Sequence, residues 1–115
     1  MQRAFDPAEL LERVDNDWDF LAETVQMLRD DGPALLEEIR RSAAAGDAAA
    51  VGRAGHALKG MISNFCAPQT HAAAFAIEKI GKGGDLAQAP VAIATLEQSL
   101  QTLIADLSDF LTKKA

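Results

Sequence analysis

Residues Ile93–Phe110, IATLEQSLQTLIADLSDF, carry the clearest structural pattern in the chain. Apolar residues recur there at intervals of three and four: Ile93, Leu96, Leu100, Leu103, Leu107 and Phe110. This spacing places them on one face of an α-helix, which is typical of a helix that packs against other helices. Lys113 and Lys114, at the predicted C-terminal end, suit the negative pole of the helix dipole.

Caps and breakers predict two helices in the N-terminal part of the chain. The dipeptide Asp6-Pro7 is expected to begin a short first helix. Asp15 or Asn16 is expected to cap the second, which ends around Gly46. Gly32-Pro33 lies inside this second segment without disturbing its apolar register, so we expect a kinked helix or two nearly collinear pieces.

Three more helices are predicted in the remainder of the chain. Asp47 caps the first, which runs to about Cys66; the next covers residues 69–80 and ends at Gly81; Asp85 caps the last. Strand signals are nearly absent, since the chain has no Tyr and is rich in helix formers. We therefore expect an all-α fold, an up-and-down antiparallel four-helix bundle with the short N-terminal helix as a lid.

The size and charge of the chain exclude several classes of function. Its 115 residues are expected to form one domain, residues 1–115, and the single Cys66 cannot form an internal disulfide. The 17 acidic and 11 basic residues give a net charge of −6, which argues against nucleic-acid binding. A membrane span, a nucleotide loop and a metal-ligand pattern are not found, so we expect a cytoplasmic protein that uses neither ATP nor metal.

The predicted third helix has one apolar face and one cationic face. With His56 placed at zero and about 100° per residue, the apolar residues fall on the opposite side: Val51, Ala54, Leu58, Met61, Ile62 and Phe65. His56 is therefore expected to lie in solvent. The residues expected near it on the exposed face are Gly52, Arg53, Lys59, Gly60 and Ser63.

The exposed face is suited to an anion brought by another protein. Residues 48–77 contain no Asp or Glu, so Arg53 and Lys59 would attract a dianionic phosphoryl group without opposition. Glycine inside a helix costs about 0.5–1 kcal/mol relative to alanine. Gly52 and Gly60 therefore favour a surface that a partner approaches closely. The alternative explanation for the missing acidic residues is that an Ala-rich helix simply lacks them.

The hairpin of the third and fourth predicted helices suggests a partner for the imidazole. If the chain turns around near residues 67–68, His56 lies opposite position 79 and therefore level with Glu78. We expect Glu78 to accept a hydrogen bond from the ring nitrogen that does not attack, which would fix the tautomer. The alternative is a solvated Glu78 paired with Lys82, four residues further on.

The run His56-Ala57-Leu58-Lys59-Gly60 resembles the signature of histidine-containing phosphotransfer (HPt) domains of two-component phosphorelays. The resemblance extends over the whole chain through Phe5-Asp6, Leu10–Arg13, Pro33–Leu36, Asp47, Ile77-Glu78 and Gly84–Leu86. It implies that His56 is the phosphorylated nucleophile, that Lys59 stabilises the phosphoryl group, and that Gly60 leaves room for the partner. The residues expected to contact the partner are Gly52, Arg53, Ala57, Gly60 and Ser63.

The function implied by the resemblance is that of a phosphocarrier without enzymatic turnover. It would relay a phosphoryl group between aspartates of response-regulator receiver domains through His56. Its partners would be receiver domains and a hybrid sensor histidine kinase, with no nucleic acid or membrane. A monomer without a cofactor is expected, with Mg²⁺ on the partner receiver. Two alternatives are a catalytically silent adaptor that binds receivers and the HPt segment of a larger hybrid or chemotaxis-type kinase; Met1 favours an independent protein.

Overall fold

Helices make up nearly all of the computed structural model, which describes residues 3–113. The elements are α1 (Pro7–Arg13), α2 (Trp18–Ala44), α3 (Ala48–Ile62), a 3₁₀ turn (Ser63–Phe65), α4 (Pro68–Gly83) and α5 (Ala89–Thr112). No strand occurs within the described residues, so the all-α prediction is confirmed there. None of these helices is long and apolar enough to cross a membrane. Met1 and Lys114, and the expectations attached to them, lie outside the described residues.

Aspartate side chains begin the first three helices. Asp6, Asp17 and Asp47 each accept a hydrogen bond from the backbone N–H three residues further on, at 3.0–3.1 Å. Asp6 and Asp47 are thus confirmed as caps. The expectation of Asp15 or Asn16 as the second cap is wrong, because both adopt positive φ angles of 54° and 58° in the turn before it. The extended residue that capping requires is Asp17.

The second helix is one continuous element. Pro33 lies inside α2, and the alternative of two separate pieces is wrong. Gly32 lies against α5, since a Cβ added there would be 3.5 Å from the Leu100 side chain. The apolar face therefore continues past the proline and packs across the core.

The last three helices differ from the predicted bounds at their ends. α3 ends before Cys66, because the chain tightens into the 3₁₀ turn and Cys66 takes a left-handed conformation with φ 54°. α4 continues past Gly81 to Gly83 and is capped by Gly84, a glycine with φ 83°. The expectation of Asp85 as the cap of α5 is wrong: its side chain accepts a hydrogen bond at 2.9 Å from a backbone N–H within the connecting turn.

The core is formed by one apolar face from each long helix together with α1. Helix contacts run from α2 to α3, from α3 to α4, from α4 to α5, and from α5 back to α2. The α5 stripe is buried from Ile93 to Leu107, as predicted. At its end, the Phe110 ring lies 5.3 Å from that of Phe5 and 5.1 Å from that of Trp18, while Leu10 anchors α1 in the same core.

Candidate functional site

The site begins with an unusually close approach of α3 and α4. A Cβ on Gly81 would overlap the backbone N and Cα of Gly52, and a Cβ on Gly55 would lie 2.9 Å from the backbone N of Glu78. The expectation that Gly52 faces a partner on the exposed surface is therefore wrong: Gly52 is buried. The space beside Gly52 is taken by α4 of the same chain, and the missing side chain of Gly81 is what permits this close approach.

The predicted face of α3 is otherwise confirmed. Val51, Ala54, Leu58, Ile62 and Phe65 are buried, and Met61 is half-buried. On the opposite side, the His56 side chain is 67% exposed. An apolar face in the core thus fixes the helix while the imidazole stands in solvent.

One nitrogen of the imidazole is engaged and the other is free. Nδ1 of His56 lies 3.0 Å from Oε2 of Glu78, so the predicted juxtaposition of these two residues is confirmed. Nε2 makes no hydrogen bond to any residue between 3 and 113. The contact links α3 to α4 across 22 positions of sequence.

Glu78 is a buried carboxylate surrounded by basic groups. It is only 2% exposed, with the Lys59 Nζ 2.6 Å from Oε1 and the Lys82 Nζ 2.9 Å from Oε2. The ammonium of Lys59, then that of Lys82 and the ring of His56, lower the pKa of Glu78 to about 2, and desolvation opposes them. The carboxylate is therefore ionised at neutral pH and can only accept, so Nδ1 of His56 carries the proton.

The alternative expected for Glu78 is correct in one respect only. The ion pair with Lys82 is present, but the carboxylate is buried rather than solvated. Glu78 can hold both partners because its Oε2 faces His56 and Lys82 at once.

Lys59 points at Glu78 and not at open solvent beside His56. Its side chain is 22% exposed, and its ammonium also lies 4.8 Å from the centroid of the Phe75 ring. Two contacts thus restrain Lys59: an ion pair and a cation–π interaction.

The other residues predicted near His56 lie in different surroundings. Arg53 lines a surface cleft of about 370 Å³ together with Ala49, Gly52, His56, Glu78, Gly81 and Lys82. Ala57 and Gly60 are exposed, and a Cβ on Gly60 would meet nothing within 4 Å. Ser63 is exposed at the C-terminal end of α3, where its hydroxyl donates to the Gly60 carbonyl at 2.6 Å.

Phe75 is a residue of the site that the sequence analysis missed. It is exposed on α4, and its ring lies 4.7 Å from the Lys79 ammonium as well as close to Lys59. A signal was available, because Phe75 precedes Glu78 by three residues and so shares its helical face. A large apolar residue beside a predicted polar contact is the pattern that could have identified it.

Comparison with known proteins agrees with the geometry. The family model of the Hpt domain matches residues 23–106, which include all of α3 and α4 and both partners of the imidazole–carboxylate contact. No curated protein and no solved structure matches the chain. Because the family match covers well over half of the sequence, the chain belongs to the Hpt domain family.

Proposed function

We propose that this protein relays a phosphoryl group between aspartates of receiver domains through a phosphohistidine at His56. Its family is one of phosphocarriers in two-component phosphorelays. The observation that carries the assignment to His56 is the exposed imidazole whose Nδ1 meets a buried, ionised carboxylate. That contact leaves the lone pair of Nε2 directed away from Glu78 and available as a nucleophile.

In this reaction Nε2 of His56 attacks the phosphorus of an aspartyl phosphate. The N–P bond forms as the P–O bond to the aspartate breaks, and the aspartate carboxylate leaves with the bonding electron pair. The ring becomes a phosphoimidazolium that keeps its Nδ1 proton, and Glu78 stabilises the positive charge. Transfer to the next receiver would reverse these steps, and a Mg²⁺ ion held by the receiver would neutralise the phosphoryl oxygens.

The scaffold for this chemistry is, in our proposal, an up-and-down antiparallel four-helix bundle with α1 as a lid. The closed order of helix contacts and the short connections between α2, α3, α4 and α5 support this topology. Burial of Leu10 at one end of the core supports the lid. A rigid bundle would hold His56 in one position for in-line attack.

Docking of the receiver would occur around the free nitrogen. Ala57 and Gly60 offer exposed positions with little bulk on the same helix. Lys59 would act on the phosphoryl group through the field of its ammonium while it also holds Glu78. We propose receiver domains and a hybrid sensor histidine kinase as partners of a cytoplasmic monomer.

Incubation with a receiver phosphorylated on aspartate tests the function. The wild-type chain should acquire phosphate that is labile in acid and stable in base, and His56→Gln should acquire none. His71→Gln is the matched control, because His71 lies on α4 and contacts neither His56 nor Glu78, so this variant should accept phosphate normally. A wild-type chain that binds the receiver but stays unlabelled would identify a silent adaptor.

A further inference from the structure

We propose that Lys82 and Arg53 form the binding site for the phosphoryl dianion on His56, and that Lys82 moves to it from Glu78. This inference rests on the function proposed above and concerns which cations of the chain hold the transferred group. The assignment differs from the one implied by the HPt signature, in which Lys59 has that role.

The two lysines on Glu78 are held very differently. Lys59 is 22% exposed and is restrained by both Oε1 of Glu78 and the Phe75 ring. Lys82 is 70% exposed, and the ion pair with Oε2 is the one contact of its ammonium within the described part of the chain. The ammonium of Lys82 is largely hydrated and lies on a flexible stem, so Lys82 can leave Glu78 when another cation takes its place at Oε2.

Lys82 also lies beside the imidazole, on its Nδ1 side, and a phosphoryl group on Nε2 would be reached by rotation of the flexible lysine side chain. Its Nζ is 2.9 Å from Oε2 of Glu78 and Nδ1 of His56 is 3.0 Å from the same oxygen, so the two nitrogens are within about 6 Å of each other. Both side chains line the 370 Å³ cleft, and Arg53 lines it too. The lining of the cleft includes Gly52 and Gly81, which contribute no side chains to fill it.

The charges of the cluster favour a dianion. Glu78 carries one negative charge and meets two ammonium groups, so one positive charge is left over before His56 reacts. Arg53 adds another, since it makes no ion pair with any residue of the range 3–113. A phosphoryl group carries a charge of about −1.5 to −2 at neutral pH, which matches this excess.

Phosphorylation of His56 would also weaken the ion pair between Lys82 and Glu78. When the N–P bond forms, the ring gains a positive charge and its Nδ1–H becomes a stronger partner for Oε2. The imidazolium thus replaces the ammonium at this oxygen, and the ammonium is free to pair with the phosphoryl oxygens. No proton is transferred in the exchange.

The test uses phosphoramidate as the donor, so that it does not depend on docking a receiver. Nε2 of His56 attacks the phosphorus, the P–N bond of phosphoramidate breaks, and ammonia leaves. The titration midpoint of the phosphoryl group is then measured by ³¹P NMR in the full chain. Because a nearby cation favours the dianion, Lys82→Gln and Arg53→Gln should each raise this midpoint by about 0.3–1 pH unit.

Lys79→Gln is the matched control. Lys79 lies on the same helix, but its ammonium contacts the Phe75 ring and not Glu78, so the midpoint should stay at the wild-type value. A midpoint that is unchanged in Lys82→Gln and raised in Lys59→Gln overturns the proposal and assigns the role to Lys59. A wild-type chain that neither phosphoramidate nor a receiver can phosphorylate overturns the proposed function as well, so the two failures are distinguishable.

Discussion

Glu78 contacts Nδ1 of the exposed His56 side chain at 3.0 Å although its own side chain is almost fully buried. The two residues lie on adjacent helices that come close together at Gly55, where any Cβ would strike the Glu78 backbone. A carboxylate can therefore reach the imidazole from below without occupying the surface around it. The result is an imidazole that is oriented by the fold and still exposed to solvent.

Replacing Glu78 by Gln should slow phosphotransfer without abolishing it. The neutral amide no longer stabilises the imidazolium that forms during attack and no longer demands a proton on Nδ1. Loss of a carboxylate that orients a metal-bound histidine costs about 10- to 100-fold, and we expect a decrease of this order here. The measurement is the single-turnover transfer rate from a phosphorylated receiver.

A second measurement should test whether Glu78 orients the His56 ring. ¹⁵N NMR of neutral His56 should show one tautomer, with the proton on Nδ1, in the wild type and a mixture in Glu78→Gln. If the variant keeps both the wild-type rate and the wild-type tautomer, Glu78 does not orient the ring.

Acid should remove the stability that Glu78 contributes. Its pKa is lowered from 4.5 to about 2 in the folded chain, chiefly by Lys59 and then by Lys82. A group with a depressed folded pKa stabilises the fold above its unfolded pKa, and this contribution is lost as the pH falls from about 4.5 towards 2. The urea midpoint of the wild type should therefore exceed that of Glu78→Gln at pH 6, and the gap should narrow steadily below pH 4.5.

The comparison of wild type with Glu78→Gln isolates the contribution of Glu78 to stability, because all other carboxylates are present in both proteins. A gap that stays constant between pH 6 and pH 2.5 would mean that Glu78 is not ionised in the cluster of lysines described here.

Much of the fold was predictable because it follows from helical periodicity. The stripe of α5 and the buried face of α3 need only a spacing of 3.6 residues per turn, and the exposure of His56 follows from the same geometry. Caps were less predictable. Asp15, Asn16 and Asp17 are about equally favoured as N-cap residues, and the sequence does not reveal that the first two adopt left-handed conformations.

Of the site, the sequence predicts only the features that follow from the hairpin of α3 and α4. The level of Glu78 opposite His56 follows from counting residues on either side of the turn, whereas the direction of Lys59 depends on how closely the helices approach. Gly52 shows what the position of a residue around a helix cannot predict. That position is the same whether a partner protein or a neighbouring helix packs against the glycine. Here Gly81 of α4 packs against it.

Substitutions at Gly60 should affect stability and receiver binding differently. A Cβ at this position meets nothing within 4 Å, and alanine is the better helix former. Gly60→Ala should therefore raise the free energy of unfolding by about 0.5–1 kcal/mol. Gly60→Trp should fold but bind the receiver more weakly, as measured by isothermal titration calorimetry. Equal receiver affinity in Gly60→Trp and wild type would remove Gly60 from the docking surface.

Alanine at Gly55 should lower stability rather than raise it, since Gly55 is already packed closely against α4. A Cβ there would lie 2.9 Å from the Glu78 backbone N and from Cγ2 of Ile77, which is buried and cannot move freely. Gly55→Ala should therefore force α4 away from α3 and lower the free energy of unfolding by about 1–3 kcal/mol, as overpacking generally does. Gly52→Ala is the matched control on the same helix: its Cβ would meet α4 at 3.5 Å, an ordinary contact, so its stability should not fall and should rise by about 0.5–1 kcal/mol, as in Gly60→Ala. Because the shift in Gly55→Ala carries Glu78 with it, the His56 tautomer should also become mixed, a change that simple destabilisation does not produce. A Gly55→Ala chain as stable as Gly52→Ala, with the proton still on Nδ1, would show that the close approach of the helices does not place the carboxylate.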